Sequence, residues 1–331
     1  MIVTGIKASL SGGVIVDCQD GSSEEFDMVI GCDGVKSAVK EYVETGKISQ
    51  MASERNAAIY SGIRIRYAVQ DGKSALVEQG SQLRQYFGNG AYALYGDYGD
   101  GASKFPAKCA FIIFQDQGYV GPFKKKDTES TSNMVENASW SQNKRERARE
   151  EMLDQLEECG IPDLDLKPVI SGADRFFELG VYFHNPFSWG GWSREVPESN
   201  GRFCTLCGDA AHAMPPFLGQ GANQAMQDAY CLAKKIFDYN ADILKIDETG
   251  DATSLADGLR PVNLGKSLKD YEKVRWPATT SISAKASFLG YLETGSAGFF
   301  AKFRDAFFFA MGKVGVAKKV LLSAATPKWD E

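Results

Sequence analysis

Histidine is almost missing from this chain, with only His184 and His212 among its 331 residues. The seven cysteines (Cys18, Cys32, Cys109, Cys159, Cys204, Cys207 and Cys231) are odd in number and widely scattered. Cys204 and Cys207 form a C-x-x-C, but no second pair follows it. A structural zinc site needs about four ligands, so this supply points to buried structural thiols, no metal site and no disulfide framework. An intracellular, reducing compartment is the setting it favours. Long apolar runs are also lacking: nothing approaches the ~18 uninterrupted residues of a transmembrane helix. Met1-Ile2-Val3-Thr4-Gly5 has neither the charged nor the apolar region of a signal peptide. An excess of basic residues is absent too. Lys and Arg number 37 against 43 Asp and Glu, a net charge of −6, which argues against nucleic acid as a partner. No internal repeat is visible.

What is present is a globular composition, 44% hydrophobic and 24% charged, in a chain long enough for two domains. Residues 2–10 and 14–18 read as a hairpin around Ser11-Gly12-Gly13, and Gln19 to Ser23 as a turn. Phe26 to Ile30 reads as a buried strand ending in Gly31-Cys32-Asp33-Gly34, with a helix from Val35 to Val43. Between 45 and 195 the texture changes to alternating runs at 58–67, 83–87, 91–95 and 108–114, which predict an antiparallel sheet with one face covered. Gly121 to Asp127 and the Ser/Thr/Asn cluster after it read as a surface loop. A charged helix spans 141–159, with Met152, Leu153 and Leu156 as its apolar stripe. His184 reads as a core histidine.

The organising stretch is Gly208-Asp209-Ala210-Ala211-His212-Ala213-Met214-Pro215-Pro216-Phe217-Leu218-Gly219-Gln220-Gly221-Ala222-Asn223. An apolar strand delivers Asp209 into a loop, and a Pro-Pro/Gly-x-Gly turn opens a helix reaching about Phe237. Glycines there let backbone approach a ligand, and the unbonded N–H groups of a first helical turn suit an electron-rich group. Residues 239–263 read as a loop and Leu264 to Thr280 as a helix disturbed at Pro277. The phenylalanine-rich stretch 297–319 reads as a C-terminal helix covering the core, or as one lying on a membrane surface or beside an apolar substrate.

Val29-Ile30-Gly31-Cys32-Asp33-Gly34-Val35-Lys36-Ser37-Ala38-Val39-Lys40 resembles the Asp-Gly motif of FAD-dependent aromatic-ring hydroxylases and related epoxidases of the zeaxanthin-epoxidase type. Gly208 to Asn223, with Asp228 following, is similar to that family's second motif, and Tyr271 to Pro277 looks like its late helix. The resemblance implies an α/β fold with α+β character in its insert. It consists of an FAD-binding Rossmann-like domain (1–45 and 196–285), an antiparallel-sheet substrate domain (46–195) and a C-terminal helical segment (286–331). By the same resemblance Asp209 hydrogen-bonds ribityl or ribose hydroxyls of FAD, Pro216 shapes the loop beside the flavin, and Gly208, Gly219, Gln220, Gly221, Ala222 and Asn223 complete the cradle. Asp33, Gly34 and Ser37 belong to the edge associated with FAD and nicotinamide. His212 reads equally as a loop-packing and as a catalytic residue. Tyr92 and Tyr95 are the candidates near the substrate.

The activity implied is NAD(P)H- and O2-dependent hydroxylation or epoxidation of a small aromatic or apolar molecule through a flavin C4a-hydroperoxide, with no side-chain nucleophile. A flavin-dependent reductase or dehydrogenase on the same fold, or a non-catalytic fragment, are the alternatives. Two departures stand out. Lys40 occupies a position where the family usually has arginine, which loses the bidentate fork. The Gly-x-Gly-x-x-Gly turn that grips the pyrophosphate is absent, so the chain reads as lacking the first βαβ unit. The missing start also leaves the compartment open, an organelle included if a targeting segment precedes it.

Overall fold

The computed structural model describes residues 2–49, 58–72, 83–98, 106–116, 142–187, 190–249, 263–295 and 299–314, together with residues 322 and 326. The expected surface loop at 121–127 lies outside them. The chain divides into two compact units. The first comprises 1–59, 182–287 and 318–331, and the second 60–181 and 288–317.

In the first unit, β1 (Val3–Ala8), β2 (Val14–Cys18) and β3 (Ser23–Phe26) form an antiparallel meander. The hairpin expected around Ser11-Gly12-Gly13 is there, closed by Ser9 N–H to the Gly13 carbonyl at 2.8 Å. The third strand was not foreseen, because Ser23-Glu24-Glu25-Phe26 is polar and exposed and carries no apolar alternation. A second sheet orders β10 (Ser193–Glu195), β11 (Phe203–Leu206) and β4 (Val29–Gly31). Its β11–β4 pair is parallel and its β10–β11 pair antiparallel. Among the described residues that single parallel pair answers to the α/β expectation, and the architecture is mixed helix and sheet.

Helix α1 (Ala38–Thr45) starts three residues later than expected, because Ser37 caps it and accepts a hydrogen bond from Lys40 N–H. Gly46 ends it in the left-handed conformation. Short α4 (Asp209–His212) and a 3-10 turn (Pro216–Leu218) lead to α5 (Gly221–Thr249). The loop expected from 239 is a correction: α5 runs on through Thr249. Tyr239, Ala241, Ile243, Leu244 and Ile246 continue its apolar content, and no glycine or proline interrupts before Gly250. A propagating helix tolerates the intervening Asp and Asn residues. Likewise α6 (Leu264–Glu293), opened by the Asn263 side chain bonding Lys266 N–H, continues past Pro277. Ile6, Val14, Val39, Tyr42, Trp192, Leu206, Leu232, Leu268 and Tyr271 form the core of this unit.

The second unit is built on a five-stranded sheet in the order β6 (Leu83–Phe87), β7 (Ala91–Tyr98), β8 (Ala107–Gln115), β5 (Ile59–Asp71), β9 (Arg175–Phe183). The first four strands follow the alternating runs. One face carries Ala68, Ala91, Ala93, Tyr95, Ala110 and Ile112 against Met152 and Leu156 of α2 (Gln142–Glu158) and Leu166 and Ile170 of α3 (Leu166–Ser171). Small residues on the strands let these helices approach closely. On the other face Phe87 stacks on Phe308 of α7 (Phe299–Val314), with ring centroids 5.0 Å apart. Phe303 and Phe309 of α7 remain exposed. No described helix is long and apolar enough to cross a membrane.

Candidate functional site

The parallel pair brings the two sequence motifs together. Leu206 on β11 stands opposite Gly31 on β4, and Cys207 N–H bonds the Gly31 carbonyl at 3.0 Å. Both loops therefore leave the same edge, the carboxyl ends of neighbouring parallel strands, where ligands bind in open α/β sheets. Gly208 turns the chain with φ 62° and ψ −139°, a conformation closed to other residues, and a Cβ there would stand 3.1 Å from that of Ala225 on α5. Gly219 is left-handed and faces open space.

Asp209 is exposed, and its carboxylate has no hydrogen-bond partner among the described residues. It lies beside the start of α5: a Cβ placed on Gly221 would meet its Oδ1 at 3.9 Å. The first N–H groups of a helix have no partners within it. Ala222 is exposed and Gly221 and Asn223 half-buried, while Gln220 is buried with its Oε1 accepting from Asn223 Nδ2 at 3.2 Å. Pro216 is exposed on the 3-10 turn. A free carboxylate thus stands next to an open, electropositive helix start.

Behind this edge is a fully buried network. Asp228 on α5 accepts from Gly208 N–H at 3.0 Å, from Arg275 Nε at 2.7 Å and contacts His212 Nε2 at 2.5 Å. Arg275 reaches on to the Gln227 and Gln224 side-chain oxygens at 3.0 and 2.7 Å. Burial acts to raise the Asp228 pKa, but the His212 hydrogen bond and the charges of His212 and Arg275 outweigh it and leave the carboxyl below its ordinary range. An ionised carboxylate is acceptor only, so His212 Nε2 donates to it, while Nδ1 is buried with no hydrogen-bond partner among the described residues. The motif's histidine is thereby held in support of the loop. Sequence reading named Asp228 and Arg275 only as motif letters. The available signal was Gln224, Gln227 and Asp228, polar at helical spacing on one stripe of an otherwise apolar-faced helix.

Beside the network lies a cleft of about 220 Å³ whose lining includes Lys40, Glu44, His184, Trp192, His212 and Trp276. Lys40 is buried, 3.3 Å from Glu44, and donates to the Ala211 carbonyl at 3.4 Å. Burial lowers its pKa and Glu44 opposes that. Burial, then the Lys40 charge, pull His184 down to about 4, so it is a neutral ring whose Nε2–H donates to the Val35 carbonyl at 3.0 Å.

Asp33 is engaged locally: Oδ1 accepts from Ser37 Oγ, and Oδ2 from Ala38 N–H at 2.7 Å and Val39 N–H at 3.3 Å. It closes the start of α1, as a carboxylate at a helix N-terminus does. Gly34 next to it has φ 81° and open space around it, and Ser37 is buried. Tyr92 and Tyr95 belong to the second unit and, three residues apart on β7, face opposite sides of the sheet. Tyr95 lies in the core under α2 and α3, its hydroxyl on Asp97 at 3.0 Å. Tyr92 is buried with its hydroxyl on Glu293, whose other partner is Gln85 Nε2 at 3.0 Å. Burial pushes Glu293 up to about 7.

Two loops leave one parallel edge, with an open helix start and a free carboxylate beside it, an arrangement that suits an electron-rich ligand carrying hydroxyl groups. Residues 194–240 match the FAD binding domain family. The chain is 24% identical over 279 residues to the 3-amino-4-hydroxybenzoate 2-monooxygenase PtnB3 of Streptomyces platensis, covering 84% of this chain and 54% of that protein. It is 28% identical over 254 residues to a salicylate hydroxylase of Pseudomonas putida, covering 73% and 50%. In fold it is similar to Klebsiella pneumoniae HpxO complexed with FAD and uric acid, with a TM-score of 0.60 at 19% identity, over 97% of this chain and 66% of that one. The chain spans about half the length of the curated relatives it matches. In sequence and in fold the chain is similar to proteins named as monooxygenases and hydroxylases.

Proposed function

We propose that this chain serves an FAD-dependent monooxygenase that uses NADH or NADPH as transient reductant and O2 as oxidant to hydroxylate or epoxidise a small aromatic or apolar molecule. The aromatic substrate class is supported by relatives whose names specify an aminohydroxybenzoate and salicylate. One observation carries the reading: the partnerless Asp209 carboxylate beside the open first turn of α5. A carboxylate there accepts from vicinal hydroxyls, and first-turn N–H groups meet an electron-rich ring edge, so these residues fit FAD. Bound FAD would supply the electron transfer and the oxygen activation. This chain's own groups bind and orient. Asp209 and residues 219–223 hold the cofactor, and Asp228 and Arg275 fix the loop. Gly34 offers backbone, since the Asp33 carboxylate is taken up by α1. On the substrate side we assign Tyr92, whose phenol meets the buried Glu293 beside Gln85.

Titration with FAD, followed by flavin fluorescence, tests the reading. Saturable quenching is expected, and Asp209→Ala should weaken it ~10- to 100-fold, the equivalent of a charged hydrogen bond worth about 1.5–3 kcal/mol. Thermal unfolding should stay within ~0.5 kcal/mol, because Asp209 holds nothing else. No flavin response in the unaltered chain, or equal affinity in Asp209→Ala, refutes it.

A further inference from the structure

The two strand ends that carry the motifs each carry a thiol. With Thr205 opposite Ile30 and Leu206 opposite Gly31, the same register carried one residue past the strand ends sets Cys207 opposite Cys32, and Cys207 N–H bonds the Gly31 carbonyl at 3.0 Å. Residues opposed in a sheet share a face, and adjacent strands lie about 4.8 Å apart. Disulfides span Cα separations of about 4.4–6.8 Å. Each thiol lies near enough to the other to influence its titration, and Cys207 Sγ also stands 3.9 Å from the Ala225 carbonyl. Cys32 is exposed, Cys207 buried, and both are free. The C-x-x-C spacing would nominate Cys204 as the partner of Cys207. Three residues along an extended chain, however, place side chains on opposite faces, and Cys204 is fully buried. Strand register, rather than motif spacing, selects the pair.

We propose that Cys32 and Cys207 form a reversible, peroxide-driven disulfide that ties together the two loops of the cofactor cradle. The exposed Cys32 thiolate attacks hydrogen peroxide. An S–O bond forms, the O–O bond breaks, and the departing hydroxide takes up a proton to leave as water. Cys207 then gives up its proton and attacks the Cys32 sulfenic acid. An S–S bond forms, the S–O bond breaks, and a second water leaves. The two sulfurs lose two electrons and the peroxide gains them; a dithiol reductant reverses the change.

The surroundings set the rate. Burial and the carboxylates of Asp33 and Asp228 push the Cys32 thiol up against the effect of the neighbouring Cys207 thiol. Burial, then Asp228 and Cys32, push Cys207 up to about 12, with Tyr271 acting the other way. The thiolate is the reacting form, so oxidation is slow at neutral pH and accelerates with alkalinity. The pair answers sustained peroxide rather than a brief pulse. Its product would fix the spacing between Asp33 and Gly208, the immediate neighbours of the two sulfurs.

Peptide mapping of the full chain tests this directly. The protein is held in excess hydrogen peroxide at pH 7 and pH 9, alkylated, digested without reduction and analysed by mass spectrometry. A linked Cys32–Cys207 peptide, two hydrogens lighter than its parts and released by dithiothreitol, is expected. It should form roughly tenfold faster per pH unit, in step with the thiolate fraction. Cys32→Ser and Cys207→Ser should each abolish it. Oxidation of Cys32 to sulfinic acid with Cys207 still reduced, or a Cys204–Cys207 link as the main product, overturns the proposal.

Discussion

Replacing Asp228 by asparagine keeps the shape of the side chain and removes its charge, which isolates what the buried network contributes. Asp228 and Arg275 are both fully buried, with 2.7 Å between Oδ1 and Nε. Asparagine offers one acceptor oxygen where the carboxylate serves three donors: Gly208 N–H, Arg275 Nε–H and His212 Nε2–H. At least one donor must then face the amide nitrogen, and the guanidinium keeps its charge in a dry site. Breaking a buried pair from one side costs about 3–5 kcal/mol. For a domain of this size that lowers Tm by roughly 6–20 °C. Circular dichroism melts of the chain without ligand at pH 7 measure it. The double variant Asp228→Asn/Arg275→Met removes both charges and should recover much of the loss, giving a large coupling energy in the cycle. The folded-state pKa of Asp228 is depressed, so its contribution is fully present above the ordinary carboxylate value and is lost as pH falls through the folded one. The acid side of the stability profile should accordingly flatten in Asp228→Asn. A loss below about 1 kcal/mol, or a double variant no better than the sum of the singles, would refute the reasoning.

Glu293 carries the opposite sign. Its folded pKa is raised from 4.5 to about 7 by burial, so stability declines as pH climbs from the unfolded value to the folded one and levels off above it. Glu293→Gln should remove about 3 kcal/mol of that decline, seen by comparing urea midpoints at pH 5 and pH 8; an unchanged pH dependence counts against it. Asp33→Ala deletes the acceptor for the Ala38 and Val39 N–H groups and should cost about 1–2 kcal/mol, read from the same midpoints. A neutral result there would mean that Ser37 alone caps α1.

Local chemistry was legible where short-range rules apply. The hairpin at 9–13, the alternating strands of the second unit and the Pro-Pro/Gly-x-Gly helix start all follow from turn residues and periodicity. The loop geometry of the second motif was also readable, because Gly208 and Gly219 adopt the positive φ that glycine permits. What escaped was set by distant partners. β3 is polar and exists by pairing with β2, and α3 and β9 carry no pattern apart from the sheet and helix they pack on. Asp-Gly looks alike at a ligand edge and at a helix start, and the hydrogen bonds of Asp33 to 37–39 are visible only in the fold. Cys204 and Cys207 are the buried thiols their apolar strand predicts, whereas the cross-strand placement of Cys207 near Cys32, 175 residues earlier, is not legible from spacing.

The Asp228 network also sets a clock. Gly208, Asp228 and Arg275 must meet before the Asp209 loop has its final shape, and Arg275 lies 67 residues after Gly208. During synthesis the loop and the start of α5 emerge well before α6 can supply its guanidinium, so for several seconds at ordinary elongation rates Asp228 has no buried counter-charge. Until then the segment carrying the cradle is held only by strand pairing and nearby turns. A cofactor arriving early would find flexible donors, and one arriving after α6 has docked would find them already set. The shape of the Asp209 loop thus depends on α6, and a change that loosens α6 reaches the loop through Asp228.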